Sequence, residues 1–204
     1  MLVYIEFISR RPGVSIEAFH FAAARGQSGW SAEYSDDVLL LNVGRTFRVG
    51  PEPEYMAVWY TPAAGLERIG EWERIFASGD ADHFEETFRL AARIDKAGCY
   101  EPLQEPKPGR EGLYYIEYLD LAEGAARDDV TAFFGERQER HPELTLNLLC
   151  DRVGALAPEP RALAVWTVPA WDGLDPVARD LDETSAPVRL VEGGLYRDLG
   201  AETL

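Results

Sequence analysis

Leu2-Val3-Tyr4-Ile5-Glu6-Phe7 opens the chain, and Leu113-Tyr114-Tyr115-Ile116-Glu117-Tyr118 returns 111 positions later with the same glutamate in the same place. Both runs are rich in aromatic and β-branched side chains, the composition of a strand, and each sets a carboxylate among apolar neighbours. Working outward, Ala57-Val58-Trp59 followed by Pro62-Ala63 comes back as Ala164-Val165-Trp166 followed by Pro169-Ala170, 107 positions on. Gly98-Cys99-Tyr100 comes back as Gly194-Leu195-Tyr196, 96 positions on. The order is kept while the offset drifts, as duplication followed by loop insertion and deletion would leave it. Between the copies, Gln104 to Gly112 holds two prolines and two glycines in nine residues, which excludes a regular element and predicts an exposed linker. The expected organisation is a first repeat over 1–104, a linker over 105–112 and a second repeat over 113–204.

Within each repeat the periodicity switches between strand and helix. Ile16, Phe19, His20 and Ala23 fall at helical spacing behind Ser15, a suitable N-cap, and Val130, Phe133 and Phe134 repeat that spacing. On this alignment His20 stands where the second copy has Phe134. Val38 to Gly44 and Leu144 to Leu149 read as second strands, and Pro-rich turns lead into third strands centred on Trp59 and Trp166. Leu66, Ile69, Trp72 and Phe76 mark a second helix, and a last strand ends each copy near Tyr100 and Tyr196. The order is β-α-β-β-α-β twice, the ferredoxin-like unit. Such a unit carries helices on one face of its sheet only. The fold expected is α+β: two ferredoxin-like repeats whose antiparallel sheets pack into one intrachain, pseudo-twofold α+β barrel.

Composition narrows the function classes. The chain has 204 residues, 46% hydrophobic and 27% charged, with 36 acidic against 20 basic side chains and a formal charge of −16. That field repels phosphate backbones and anionic headgroups, so neither nucleic acid nor a membrane is the expected partner. Two cysteines, Cys99 and Cys150, supply neither a disulfide framework nor a thiolate zinc site, and three histidines without ligand spacing predict no metal. No apolar run reaches a spanning length, and Glu6 falls where a signal peptide would stay apolar, so a cytoplasmic protein is expected. No glycine-rich fingerprint, P-loop, nucleophile elbow or zinc-protease motif is present, and no cofactor is expected, with haem on a lone axial histidine as the open alternative.

The order of elements, the Val58-Trp59-Tyr60 strand, the helix containing Trp72 and the tail Tyr100-Glu101-Pro102-Leu103 together resemble the dimeric α+β barrel superfamily, most closely NIPSNAP-type or EthD-type domains. Such domains usually form homodimers, so the resemblance implies that this chain carries its own dimer. It implies a pocket between each sheet and its helices. Members include cofactor-free monooxygenases, polyketide cyclases, lactone isomerases, dehydrohalogenases and haem-handling enzymes, so it implies no single reaction.

Candidate residues follow from position. Glu6 and Tyr4 share a strand face, as do Glu117 and Tyr115; lining a cavity, the carboxyl would serve as general base and the phenol as donor to an oxyanion. The competing reading is structural, with each glutamate meeting Arg45 or Arg152 across the sheet; in the functional reading Arg45 is a substrate-binding residue. His20, on an apolar helix face, is either a satisfied core side chain or an acid/base group at a cleft. His83, beside Asp82 in an insertion peculiar to the first copy, either belongs to a helix cap or reaches a pocket under a lid. Trp59 and Trp166 serve as core or as pocket wall, and Trp30 and Tyr34 would line a pocket mouth. His141 is expected at the surface end of its helix. The expected activity is acid/base chemistry on an apolar or aromatic small molecule, of isomerase, cyclase or lyase type. Cofactor-independent oxygenation of a phenol and a non-catalytic binding or assembly module are the alternatives.

Overall fold

The computed structural model describes residues 2–23, 38–46, 54–61, 70, 74, 78, 88–109, 112–153, 161–169, 179–182 and 186–199. Its strands are β1 (Leu2–Arg10), β2 (Val38–Arg45), β3 (Tyr55–Thr61), β4 (Ala92–Pro102), β5 (Leu113–Leu121), β6 (Thr145–Arg152), β7 (Ala162–Val168) and β8 (Val188–Asp198). Helix α1 is described over 16–23, and α2 spans Arg127–Arg140. The fold is mixed α+β with one large antiparallel sheet.

That sheet closes on itself in the order β1-β3-β2-β8-β5-β7-β6-β4. The two sets of four strands do not stack as separate sheets. Their outer strands hydrogen-bond, β2 with β8 and β4 with β6, so the cylinder has no free edge. The register of one set recurs in the other. Glu6 faces Ala57 and Tyr4 faces Trp59, as Glu117 faces Ala164 and Tyr115 faces Trp166. Register shifts fall between Phe7 and Ile8 and again between Tyr118 and Leu119; a second pair falls at Leu39/Leu41 and Leu146/Leu148.

Strand alternation sorts the side chains into three apolar clusters. Val3, Ile5, Phe7, Met56, Val58, Ile116, Leu163 and Val165 point inward with Tyr100, Tyr114, Tyr118 and Tyr196 and fill the barrel, as eight strands allow. The Tyr118 and Tyr196 hydroxyls meet at 2.9 Å, each satisfying the other in that interior. The opposite face of β1 and β3, with Ile8, Tyr55, Ala57 and Trp59, packs against Phe19 and Ala23 of α1. The opposite face of β5 and β7, with Leu119, Ala162, Ala164 and Trp166, packs against Val130 and Phe134 of α2. The candidate residues Tyr4, Glu6 and Trp59, and their counterparts Tyr115, Glu117 and Trp166, lie in these two outer layers.

Helix starts are set alike. Gly13 and Gly124 take positive φ of 84° and 80°, a conformation L side chains rarely adopt, and turn the chain from β1 and β5 into the helices. Ser15 caps α1 through Oγ to the Ala18 N–H, while at α2 Asp129 reaches back to the Ala126 N–H. The stretch after β4 forms no regular element over 105–109 and exposes Glu105, Lys107 and Pro108, yet it is tied to the sheet. The N–H groups of Leu103 and Lys107 donate to Leu149 and Asn147 of β6, and that of Gly109 to Leu40 of β2. No helix among the described residues is long and apolar enough to cross a membrane.

Candidate functional site

On β1, Tyr4 and Glu6 point outward together, two residues apart, and β3 sets Trp59 beside them. The Trp59 indole Nε1–H donates to Glu6 Oε2 at 3.1 Å. In the second half the Trp166 Nε1–H donates to Glu117 Oε2 at 3.0 Å. A strand glutamate held by a neighbouring indole is therefore present twice. What covers it differs.

In the second half the cover is complete. Arg137 of α2 donates through Nη1 and Nη2 to the two carboxylate oxygens of Glu117, at 2.9 and 2.8 Å. Its Cζ stands 4.9 Å from the Phe134 ring centre, 5.1 Å from Trp166 and 5.7 Å from Phe133. Glu117, Arg137, Phe134 and Trp166 all have 0% exposure. A bidentate pair with arenes around the guanidinium is among the few arrangements in which buried charges are tolerated. The sheet–helix layer of this half is thus filled by side chains. A haem, as some families of this architecture hold, does not fit here: a macrocycle would have to displace Phe134, Arg137 and Trp166. Nor is His141 turned to this layer; its Nε2 lies 2.9 Å from Asp180 Oδ2 at the helix end, half-buried rather than at the surface.

In the first half Glu6 and Tyr4 keep part of their surface in solvent. The helix above them carries smaller residues. With the glycine turns and first-turn bonds aligned (Phe19 N–H to the Ser15 carbonyl, Val130 N–H to the Ala126 carbonyl), Phe19 corresponds to Val130 and Ala22 and Ala23 to Phe133 and Phe134. His20 therefore corresponds to Thr131, not to Phe134 as apolar spacing suggested. Its ring meets Tyr55 edge-on at 5.8 Å and Phe19 at 5.9 Å. Tyr55 is four residues from Trp59 on β3, about 13 Å along the strand, so His20 stands at the other end of the layer from Tyr4. Burial, and then the Arg197 charge, lower its pKa.

Tyr4 is held in its neutral form. Burial first, then the neighbouring Glu6 and Cys99, push its phenol well above the usual range. Burial also raises the Cys99 thiol to about 11, so it stays protonated at neutral pH. Tyr4 and Tyr115 differ in footing. A Cβ on Gly193 would meet the Tyr115 hydroxyl at 2.6 Å, whereas the residue facing Glu6 on β4 is Ala97, which has that carbon. The Tyr4 hydroxyl consequently cannot lie as that of Tyr115 does.

Arg45 has another place than the cross-sheet reading gave it. It shares the face of Val43, which points into the barrel, pairs in register with Tyr196, and its charge acts on the Tyr118 and Tyr196 hydroxyls. It is on the opposite side of the sheet from Glu6. Glu117 likewise meets Arg137 of the helix, not Arg152, which lies in register with Tyr100. Tyr4, Glu6 and Trp59 are thus brought together, His20 stands apart and Arg45 is excluded. Trp30, Tyr34 and His83 lie outside the described residues, as do Trp72, Asp82 and Trp171. Sequence reasoning missed Arg137, whose signal was a cation on the apolar helix stripe with Val130 and Phe134. Among the described residues no group of three or more His, Cys, Asp or Glu gathers as a metal site would need.

Comparison with known proteins places the fold and no more. No protein-family profile matches the chain, and no curated protein matches it. Among solved structures, a protein from Lactobacillus acidophilus provisionally named a monooxygenase aligns with a TM-score of 0.62 at 14% identity, over 98% of this chain and 94% of that one. One provisionally named a chlorite dismutase aligns at 0.61 and 10%, over 98% and 95%. A chlorite dismutase variant from Candidatus Nitrospira defluvii aligns at 0.56 and 8%, over 97% and 92%. The chain shares the fold of these structures.

Two outcomes are expected. Arg137→Met strands the buried Glu117 charge and costs about 3–5 kcal/mol in urea denaturation, while Glu117→Gln/Arg137→Met recovers most of that loss; equal costs would contradict a pair so coupled. The lowered pKa of His20 means the unfolded chain binds the proton more tightly, so its contribution is complete above about pH 6.5 and declines below it. The stability difference between wild type and His20→Gln, followed by denaturation from pH 8 to 5, should shift against the wild type as pH falls. A difference independent of pH would refute this.

Proposed function

We propose that the chain is a small-molecule enzyme whose working site is the first-half layer between the outer face of β1 and β3 and helix α1. The observation that carries the reading is the asymmetry of the two carboxylate–indole pairs, one sealed by Arg137 and one still reaching solvent. We read the two halves as duplicated ferredoxin-like units sharing one barrel, closest to NIPSNAP-type or EthD-type domains. A duplicated scaffold can keep one site working while the other becomes core.

In this reading Glu6 is the acid/base group. The Trp59 N–H fixes the orientation of its carboxylate, and Tyr4, kept neutral, donates a hydrogen bond to oxygen charge developing on the substrate. The reaction is an isomerisation, cyclisation or elimination on an apolar or aromatic molecule, without an organic cofactor. His20 and His83 remain proposed acid/base groups at the margins, with Trp30 and Tyr34 as walls. The protein is proposed to act in the cytoplasm on a small molecule, with neither nucleic acid nor membrane as partner. Oxygenation of a phenol is the second reading, favoured by the monooxygenase name of one structural neighbour.

A thermal-shift panel of aromatic and polyketide-like metabolites identifies a ligand through the stability that binding adds. With a substrate in hand, Glu6→Gln should lower kcat by about a hundredfold or more, the usual weight of a general acid/base group, and Glu117→Gln in folded protein should not. Unchanged turnover in Glu6→Gln would remove the assignment, and ligand binding without turnover would leave a binding module.

A further inference from the structure

The two seams of the barrel are short. The β2–β8 ladder runs only from Val43 facing Asp198 to Arg45 facing Tyr196, and the β4–β6 ladder from Tyr100 facing Arg152 to Pro102 facing Cys150. Before each seam a stretch of strand, 38–42 on β2 and 145–149 on β6, has no strand beside it on that edge among the described residues. Residues 103–109 form a strap that lies on both. The Leu103 and Lys107 N–H groups donate to the Leu149 and Asn147 carbonyls, and the Gly109 N–H to the Leu40 carbonyl at 3.1 Å. Leu40 and Asn147 are matching positions: each is the extra residue of a register shift, between Leu39 and Leu41 and between Leu146 and Leu148. Asn147 differs from Leu40 in carrying an amide, and the strap uses it. This side chain, 2% exposed, donates through Nδ2 to the Pro108 carbonyl at 3.3 Å and accepts from the Thr167 hydroxyl at 2.6 Å. Gly109 lies so close that a Cβ there would meet Leu41 and, at 2.6 Å, the Tyr114 hydroxyl, both side chains of the barrel interior.

We propose that residues 103–109 are a latch that keeps the barrel closed within one chain, and that a chain with the latch released exchanges halves with a second copy. The strap leaves β4 of the first half, lies along β6 of the second and returns to β2 of the first before entering β5. Its full set of bonds therefore forms only where both halves of one chain share a barrel. The two short ladders make no such distinction, since the same β2–β8 and β4–β6 pairs form equally well between copies. A short flexible tether sets an effective concentration on the order of millimolar, so near that protein concentration the latch decides between the closed and the exchanged form.

Refolding tests it. Wild type, Asn147→Leu, which installs the residue of the matching bulge, and Gly109→Val are unfolded in urea, refolded at about 1 mM and sized by light scattering. Val165→Ala, a loss of interior packing away from the strap, is the control for stability alone. Exchange of the Lys107 and Gly109 amides is followed by NMR. In wild type both amides should exchange slowly, and refolding should add no larger species. Asn147→Leu should speed their exchange about tenfold, the weight of a lost buried hydrogen bond, and add a species of twice the mass that survives dilution until it is unfolded. Gly109→Val should give the same species, and decides the matter where Asn147→Leu does not fold. Fast exchange of both amides in wild type overturns the proposal, as does the absence of a larger species from the folded variants. The same species from Val165→Ala, or one that separates at once on dilution, overturns it too.

Discussion

A carboxylate on the outer face of a barrel strand must find a hydrogen-bond donor before a helix can cover it. Here the donor is an indole N–H from the adjacent strand, in both halves, and the geometry agrees to 0.1 Å between Glu6–Trp59 and Glu117–Trp166. The closed sheet imposes this on the two glutamates, because they leave its outer face while apolar side chains fill the inward one, so each must be settled in an outer layer. One indole does not satisfy a carboxylate, and the rest of each layer is shaped by how the remainder is met.

In the second half the answer is Arg137, and its consequences spread. Phe133, Phe134 and Trp166 surround the guanidinium, Asp180 stands 3.6 Å from its Nε, and His141 pairs with the same aspartate. The layer becomes a sealed core. In the first half the helix offers Ala22 and Ala23 instead, and Glu6 and Tyr4 keep contact with solvent. In the proposed reading, one of two like arrangements is structural and the other chemical.

Much of this was legible in the sequence because strands announce themselves locally. The recurrence of Leu2 to Phe7 at Leu113 to Tyr118, and of Trp59 at Trp166, marked the strands along the chain and the face that Tyr4 shares with Glu6, since strand alternation is strictly two-residue; that the outer strands of the two sets hydrogen-bond into one closed sheet was not marked. Helix register was not legible in the same way. It depends on where the helix begins, and that is set by the backbone of Gly13 and Gly124 rather than by the apolar spacing that paired His20 with Phe134. The partners of the glutamates were misread for a related reason. Arg45 and Arg152 lie on the same sheet, one strand removed from the glutamates, and their side chains leave its other face. The true partner, Arg137, comes from a helix whose height above the sheet no pattern of strand residues fixes.

The central claim is that one carboxylate–indole pair is sealed and the other accessible. Hydrogen exchange at the two indole N–H groups, resolved by two-dimensional NMR with Trp59→Phe and Trp166→Phe for assignment, reads it directly. The Trp166 proton should exchange only on unfolding, whereas that of Trp59 should exchange orders of magnitude faster and shift when a ligand binds. Equal protection of the two, with neither moved by any ligand that binds, would contradict the account.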